Sequence, residues 1–281
     1  MCGRDARAPV LPMRIDFARS TFDNLEELAA RDTPIHRLDP RAKVLTTFAF
    51  IVTVVSFHKY DVIRLLPLAL YPVVLVSVGN LPLGPILKRL LWAAPFVLFV
   101  GVFNPLLDRH ALVRIGSVQV SGGWVSFASI LLRFALTVGA ALILVATSGF
   151  YAVCAALEKL LVPKALVTQL LFLYRYAFVL MDEAGRVTRA HSLRAGSGRA
   201  VRIRVFGSMA GRLLLRALDR AQRIHRAMLC RGFTGEVRLA RPLFFGVGGA
   251  AYLLGWTGFF VLTRWVDLPR MIGEAALSVF A

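Results

Sequence analysis

The chain has 281 residues and a net charge of +18, and 57% of its residues are hydrophobic, which gives a mean hydropathy of +0.66. A soluble domain carries roughly 45–50% apolar residues, and here the excess is gathered into long blocks, so this composition argues against a soluble globular protein. Three distant cysteines and five scattered histidines argue against a disulfide framework or a metal site within the chain.

Long apolar stretches predict five membrane-spanning helices, because a helix needs about 20 apolar residues to cross a bilayer. These stretches occupy 42–58, 62–79, 91–107, 124–149 and 243–263. A sixth stretch, 165–181, is ambiguous because it is short and contains Gln169 and Arg175. Arg133, inside the fourth span, is interpreted as reaching the nearby membrane interface with its long side chain.

The distribution of arginine predicts the orientation of the chain. Region 186–241 contains fourteen arginines and two acidic residues, and cytoplasmic loops of membrane proteins are enriched in Lys and Arg. If 165–181 does not cross the membrane, eight basic residues of the other loops lie in the cytoplasm together with region 186–241. If it does cross, only four basic residues of the other loops lie there. We therefore expect 165–181 to be a cytoplasmic helix and region 186–241 to be cytoplasmic.

These patterns predict an all-α polytopic membrane protein with about five transmembrane helices and amphipathic cytoplasmic helices. The expected organisation is a cytoplasmic N-terminal tail (1–41), transmembrane helices 1–4 (42–149), a cytoplasmic helical region (150–242), transmembrane helix 5 (243–263) and a C-terminal tail (264–281). Within the N-terminal tail, residues 20–30 predict a short helix that Ser20 or Thr21 could cap. Pro40 suits the start of the first span.

Residues 204–231 predict one long amphipathic helix, since apolar and charged residues recur on separate faces. The apolar stripe contains Phe206, Met209, Leu213, Ala217, Ile224 and Met228, and the charged face contains Arg212, Arg216, Asp219, Arg223 and Arg226. Asp219 can pair with Arg216 and Arg223 by helical spacing. Gly232 is expected to end this helix, and the preceding helix is expected to end at 195–198.

Both predicted helices finish with an arginine flanked by small residues, which makes the two ends the strongest candidate binding site. The candidate residues are Arg194, Ala195 and Gly196 at the first end, and Ala227, Cys230, Arg231 and Gly232 at the second. Small flanks allow another backbone to approach, and a guanidinium can bind a carboxylate through two hydrogen bonds. The alternatives are a cation that simply suits a helix C-terminus and an arginine cluster that binds anionic lipid.

Several motifs of autonomous enzymes and pumps are missing from the sequence. It contains no Gly-x-x-x-x-Gly-Lys-Ser/Thr phosphate loop, no Gly-x-Ser-x-Gly and no His-Glu-x-x-His. The spans also lack the paired acidic residues of many ion-coupled carriers. We therefore expect a chain that is not an enzyme, with no catalytic residues, no cofactor and no metal of its own.

Four short stretches, in this order, resemble the transmembrane T components of energy-coupling factor transporters, specifically the CbiQ type of cobalt importers. They are His36–Lys43, Leu170–Tyr176 and the segments around Arg194 and Arg231. The likeness covers about residues 14–265. The family pattern is a pair of Ala-Arg-Gly motifs, from which Leu193-Arg194-Ala195 and Cys230-Arg231-Gly232 depart while keeping the arginine.

The resemblance implies a coupling subunit of the bacterial inner membrane. Two ABC-type ATPases, which hold the ATP and magnesium, would bind the cytoplasmic coupling helices at Arg194 and Arg231. Their motion would pass to a substrate-binding membrane S component of the CbiM type, with or without a CbiN-type small subunit. No nucleic-acid partner is expected. Cobalt is the expected cargo, with nickel or a vitamin as alternatives, and a self-sufficient carrier or channel is the alternative function.

Overall fold

The computed structural model describes residues 33–58, 61–107, 111–115, 118–160, 162–195, 203–235 and 246–266, with the backbone alone at 105–107, 111–115, 118–121 and 195. Helices dominate these residues, as the sequence predicts. The helices are α1 (Pro40–Ser56), α2 (Val62–Leu65), a 3₁₀ turn (Leu66–Ala69), α3 (Leu70–Val78), α4 (Leu83–Leu107), α5 (Gly122–Ser148), α6 (Phe150–Lys159), α7 (Lys164–Ala195), α8 (Ile203–Cys230) and α9 (Val247–Trp265).

A short antiparallel hairpin, β1 (Ala111–Ile115) and β2 (Val118–Ser121), lies between α4 and α5. The sequence analysis predicts no strand there, since the two strands are only five and four residues long. Predicted features that lie outside the described residues are the 20–30 helix, Gly196 and most of both tails.

The described residues form two compact units, and the division falls within α6. The multi-helix unit contains the described residues of 33–156 and α9, and the helical-pair unit contains those of 157–235. The sequence analysis predicts a boundary at 149/150, between the first four spans and the cytoplasmic helical region. The division between the two units lies close to it. The position of this boundary relative to the membrane stays a prediction.

The start of α1 is fixed by a buried polar cluster. The Asp39 carboxylate accepts a hydrogen bond from the Arg41 backbone N–H at 2.8 Å, and Pro40 occupies the first helical position as predicted. Lys43, only 2% exposed, donates from Nζ to the Thr147 carbonyl at 3.0 Å. The His36–Lys43 motif therefore joins α1 to the end of α5, because a buried ammonium needs such an acceptor.

An aromatic cluster joins α1, α3 and α9 in the core of the multi-helix unit. Phe50, Tyr71 and Phe260 are almost fully buried, with ring centroids 4.7 to 5.4 Å apart. The Tyr71 hydroxyl lies 2.9 Å from the Thr47 hydroxyl and 3.4 Å from that of Tyr252, so the buried phenol has polar partners.

Helix α4 packs on α5 through Gly101 and exposes most of its other apolar side chains. A Cβ at Gly101 would lie 2.8 Å from the Phe127 ring, so only glycine permits this close approach. Trp92, Phe96 and Phe99 are two-thirds or more exposed. A helix that is apolar on all sides and not covered by protein is typical of a membrane span.

Three described helices are long and apolar enough to cross a membrane: Leu83–Asn104, Gly122–Ser148 and Lys164–Arg194. The first two contain most of the predicted spans 91–107 and 124–149. The other predicted spans correspond to α1, which has 17 residues, to the interrupted Val62–Val78 stretch, and to α9, which carries Arg264. The cytoplasmic position of 165–181 stays a prediction, since α7 has the length and composition of a span.

Candidate functional site

The helical-pair unit is built from α7 and α8, which run in opposite directions. Arg216, near the middle of α8, contacts Glu183 of α7, whereas Phe233, just after α8, contacts the earlier α7 residue Phe172. Moving forward along α8 therefore means moving backward along α7. Helix α8 agrees with the predicted 204–231 helix within one residue at each end.

Glu183 is the central polar link of this pair. Arg216 Nη1 donates to its Oε1 at 2.7 Å, and Arg186 Nη2 donates to its Oε2 at 2.8 Å. The hydrogen bonds from Arg186 and Arg216 hold the pKa of this carboxyl below its ordinary value. The sequence analysis pairs Asp219 with Arg216 and Arg223 of the same helix, whereas the structure pairs Arg216 with the Glu183 carboxylate of α7.

The C-terminus of α8 has the geometry that places Arg231. Gly232 has φ +78°, and its N–H donates to the Leu229 carbonyl at 3.0 Å while the Phe233 N–H donates to the Met228 carbonyl at 3.0 Å. This pair of bonds is a Schellman motif with glycine in the left-handed position, as the sequence predicts for Gly232. Arg231 is the residue between the last helical turn and that glycine, and it is exposed.

Phe233 is a site residue to which the sequence analysis assigns no role. Its ring lies 6.3 Å from that of Phe172, so the chain leaving α8 folds back onto α7. In a Schellman motif the residue after the glycine commonly contacts the last turn through an apolar side chain. An aromatic residue directly after a predicted helix-stopping glycine is the signal that could have found it.

The structure brings Arg231 together with Arg175 from the Leu170–Tyr176 motif. Both line a cavity of about 460 Å³, together with Phe172, Tyr176, Ile224, Ala227, Met228 and Phe233. The Arg175 guanidinium lies 6.0 Å from the centre of the Tyr176 ring. No carboxylate is among these lining residues, so the cavity is suited to an acidic group supplied from outside.

Arg194 lies at the other end of the helical pair. Helix α7 ends at Ala195, and Arg194 is exposed beside Leu193, whose side chain is 81% exposed. From Phe172 to Arg194 the helix extends about 33 Å at about 1.5 Å per residue. The candidate residues therefore form two separate ends, one with Ala227, Cys230, Arg231 and Gly232, the other with Arg194 and the Ala195 backbone.

Within the residues that the structure describes, no group of three or more His, Cys, Asp or Glu side chains could hold a metal ion. Cys154 is buried and Cys230 is exposed at the end of α8.

Comparison with known proteins gives a consistent assignment. A sequence model of the CbiQ family, described as "Cobalt transport protein", matches residues 31–241. The "Energy-coupling factor transporter transmembrane protein EcfT" of Bacillus subtilis (strain 168) is 28% identical over 240 residues, which cover 80% of this chain and 86% of that protein. Its namesake from Listeria innocua is 28% identical over 261 residues, covering 87% and 91%.

A fourth comparison carries the family's own name. The "Cobalt transport protein CbiQ" of Rhodobacter capsulatus is 30% identical over 187 residues, which cover 62% of this chain and 76% of that protein. The family match spans both described units, including every described candidate residue of the two helix ends. The chain therefore belongs to the CbiQ family and is a membrane component of a transporter, similar over most of its length to energy-coupling factor transmembrane proteins.

Proposed function

We propose that this chain couples two cytoplasmic ABC-type ATPases to a separate substrate-binding membrane subunit in an ATP-driven importer. The observation that carries the proposal is the pair of exposed arginines at the ends of α7 and α8, one of them beside Arg175 in a cavity without a carboxylate. Such an end accepts an acidic residue from a partner, because a guanidinium binds a carboxylate through charge-assisted hydrogen bonds.

The spacing of the two ends supports one ATPase at each. Arg194 and Arg231 belong to opposite ends of an antiparallel pair. Phe172 lines the same cavity as Arg231, and about 33 Å of α7 separates Phe172 from Arg194. Glu183 links the two helices near the middle through Arg216. A push at either end is therefore passed to the partner helix as well as along the rod.

The remaining parts of the proposal concern the partners and the orientation. Region 186–241 lies in the cytoplasm, since its fourteen arginines and two acidic residues fit that side. ATP and magnesium belong to the ATPases, so this chain performs no catalysis. A CbiM-type S component carries the cargo. Cobalt is favoured over nickel or a vitamin by the family description and by the name of the Rhodobacter capsulatus relative.

Charge reversal at the two helix ends tests the coupling role. Arg194→Glu and Arg231→Glu should each weaken co-purification of the ATPases, because losing one member of a desolvated charge pair costs about 2–5 kcal/mol. Each 1.4 kcal/mol of that cost raises the dissociation constant roughly tenfold. The double variant should lose the ATPases. The measurement is a quantitative pull-down from detergent-solubilised membranes with the ATPases co-expressed.

The controls are Arg212→Glu and Arg226→Glu, which make the same charge change at exposed positions of α8 away from its C-terminus. They should retain the ATPases. Equal retention by all four variants would contradict the proposal, and so would transport by the purified chain in vesicles that contain no ATPase.

A further inference from the structure

A second, larger cleft runs between α7 and α8 beside the Arg231 cavity. It has a volume of about 600 Å³ and shares part of its wall with that cavity. Its lining residues are Ala165, Thr168, Gln169, Phe172, Tyr176, Val179, Leu180, Ala217, Leu218, Arg220, Ala221, Ile224, His225, Met228, Phe233 and Gly235. We call this surface the interhelical groove.

The interhelical groove is apolar and open, and its basic lining residues are Arg220 and His225. Leu218 remains 51% exposed although it lies on the groove wall. An open apolar surface of this kind favours a covering segment, because burial contributes about 25 cal/mol per Å² of apolar area. Arg220 in the wall, with no carboxylate among the lining residues, favours an occupant that carries an acidic residue at its edge.

Residues 20–30 have the length and pattern that such an occupant needs. They lie outside the described residues, and their sequence predicts a short helix. Phe22, Leu25 and Ala29 recur at i, i+3 and i+7, which places them on one side of a helix. Glu26 borders that side next to Phe22, whereas Asp23 and Glu27 fall on the opposite side. At about 1.5 Å per residue the helix is about 16 Å long, and α7 spans about 22 Å between Ala165 and Leu180.

We propose that residues 20–30 bind as a short helix in the interhelical groove. The apolar side of this segment would cover the groove, and Glu26 at the border of that side would face Arg220 in the groove wall. A second copy of the chain is disfavoured as the occupant, because two such basic helical pairs repel each other at a net charge of +18 per chain. Because residues 20–30 belong to the same chain as the groove, their effective concentration at the groove is high. The proposal does not depend on the ATPase coupling proposed above.

Site-directed cross-linking tests this proposal on the full chain in lipid nanodiscs. Cys2, Cys154 and Cys230 are first replaced (C2S, C154A, C230S), and Leu25→Cys is then combined with Ala221→Cys, a groove position. The control combines Leu25→Cys with Gln222→Cys, which is also exposed and adjacent but does not line the groove. A short bis-maleimide should give an intramolecular cross-link several-fold more often with Ala221→Cys. Ala29→Cys, a smaller change, repeats the measurement at a second position of the segment.

A charge swap separates specific docking from a loose tail. Arg220→Glu should lower the cross-linking yield of the Leu25–Ala221 cysteine pair, and adding Glu26→Arg should restore it at least in part. Equal yields at positions 221 and 222, from both segment positions, would overturn the proposal. A cross-link found only between two chains would assign the groove to a second copy and would overturn it equally. Failure of the charge swap to restore the yield would remove the electrostatic part.

Discussion

Arg133 and Arg264, from two different helices, bind the last carbonyls of α1 and the residues after it. Arg133 Nη2 donates to the carbonyls of Phe57 at 3.0 Å and His58 at 2.6 Å. Arg264 Nη2 donates to the Ser56 carbonyl at 3.2 Å, and its guanidinium lies 4.9 Å from the Phe57 ring. The last carbonyls of a helix have no partner within the helix, so these arginines supply one from α5 and α9. The sequence analysis expects Arg133 to reach the membrane interface, and in the structure its guanidinium donates to the carbonyls of Phe57 and His58.

Removing either guanidinium should destabilise the multi-helix unit. Arg133→Met and Arg264→Met keep a long apolar side chain but remove the donor to the Phe57 and Ser56 carbonyls, while the His58 carbonyl still accepts from the Asp61 N–H at 3.0 Å. Losing a hydrogen bond to a charged group costs about 1.5–3 kcal/mol. We expect a lower midpoint of thermal unfolding in detergent for each variant. Arg212→Met, at an exposed position of α8, is the control. Unchanged midpoints for both variants would contradict the prediction and would show that water can replace the guanidinium without loss of stability.

The sequence motifs name candidate arginines but do not predict where these arginines meet. Arg175 and Arg231 were both singled out from short motifs, yet only the antiparallel arrangement of α7 and α8 brings them to one cavity. Their separation in sequence carries no information about that register. Phe233 was missed for a related reason, since its contact with Phe172 depends on how the chain turns after Gly232.

At the scale of elements, strong local signals gave accurate helix limits. Helix α8 was predicted within one residue because its apolar stripe is regular and Gly232 stops it. The stretch 62–79 was predicted as one continuous span, and the structure divides it by a 3₁₀ turn that begins at Leu66. Pro67 lies in that turn, and a proline lacks the N–H that an uninterrupted α-helix needs. The β1–β2 hairpin was missed because a nine-residue pattern is too short to distinguish from a loop.

The link between α7 and α8 should weaken in acid. Arg186 and Arg216 hold the pKa of Glu183 below its ordinary value of 4.5, so the carboxylate stabilises the fold above that value. This contribution is lost as the pH falls through the lowered pKa. Because both arginines are exposed, we expect at most about 1 kcal/mol.

Thermal unfolding of the wild type and of Glu183→Gln measures this contribution. The wild type should be the more stable of the two at pH 7, and the difference should shrink below pH 4.5. An equal difference at both pH values would mean that Glu183 acts through packing alone. Asp219→Asn, which changes a carboxylate of α8 to which the structure assigns no role in this link, is the control.

At the scale of the whole molecule, composition was sufficient to predict a polytopic membrane protein, and the motif order was sufficient to predict its family. The number of membrane crossings was harder to predict from the sequence. Length and apolar content assign a possible span to α7, whereas the distribution of basic residues assigns it to the cytoplasm. These two physical signals conflict in one helix, because an apolar surface can face either lipid or another protein.

Cys230 provides a direct test of the orientation. It is exposed at the end of α8, whereas Cys154 is buried and burial raises the pKa of its thiol to about 11, which slows its reaction. In a C2S, C154A variant, a membrane-impermeant maleimide should label Cys230 in inside-out vesicles and leave intact cells unlabelled. The same variant with Cys230→Ser is the control. Labelling from the outside would place the helical pair away from ATP and would contradict the coupling role.

The 3₁₀ turn between α2 and α3 also changes how far the Val62–Val78 stretch can reach. Its four residues, Leu66–Ala69, rise about 2.0 Å each rather than about 1.5 Å, so the stretch gains about 2 Å over a regular helix of the same length. The hydrocarbon layer of a bilayer is about 30 Å thick. As the predicted second span, this stretch would therefore have a smaller hydrophobic mismatch and would need less local thinning of the bilayer around it.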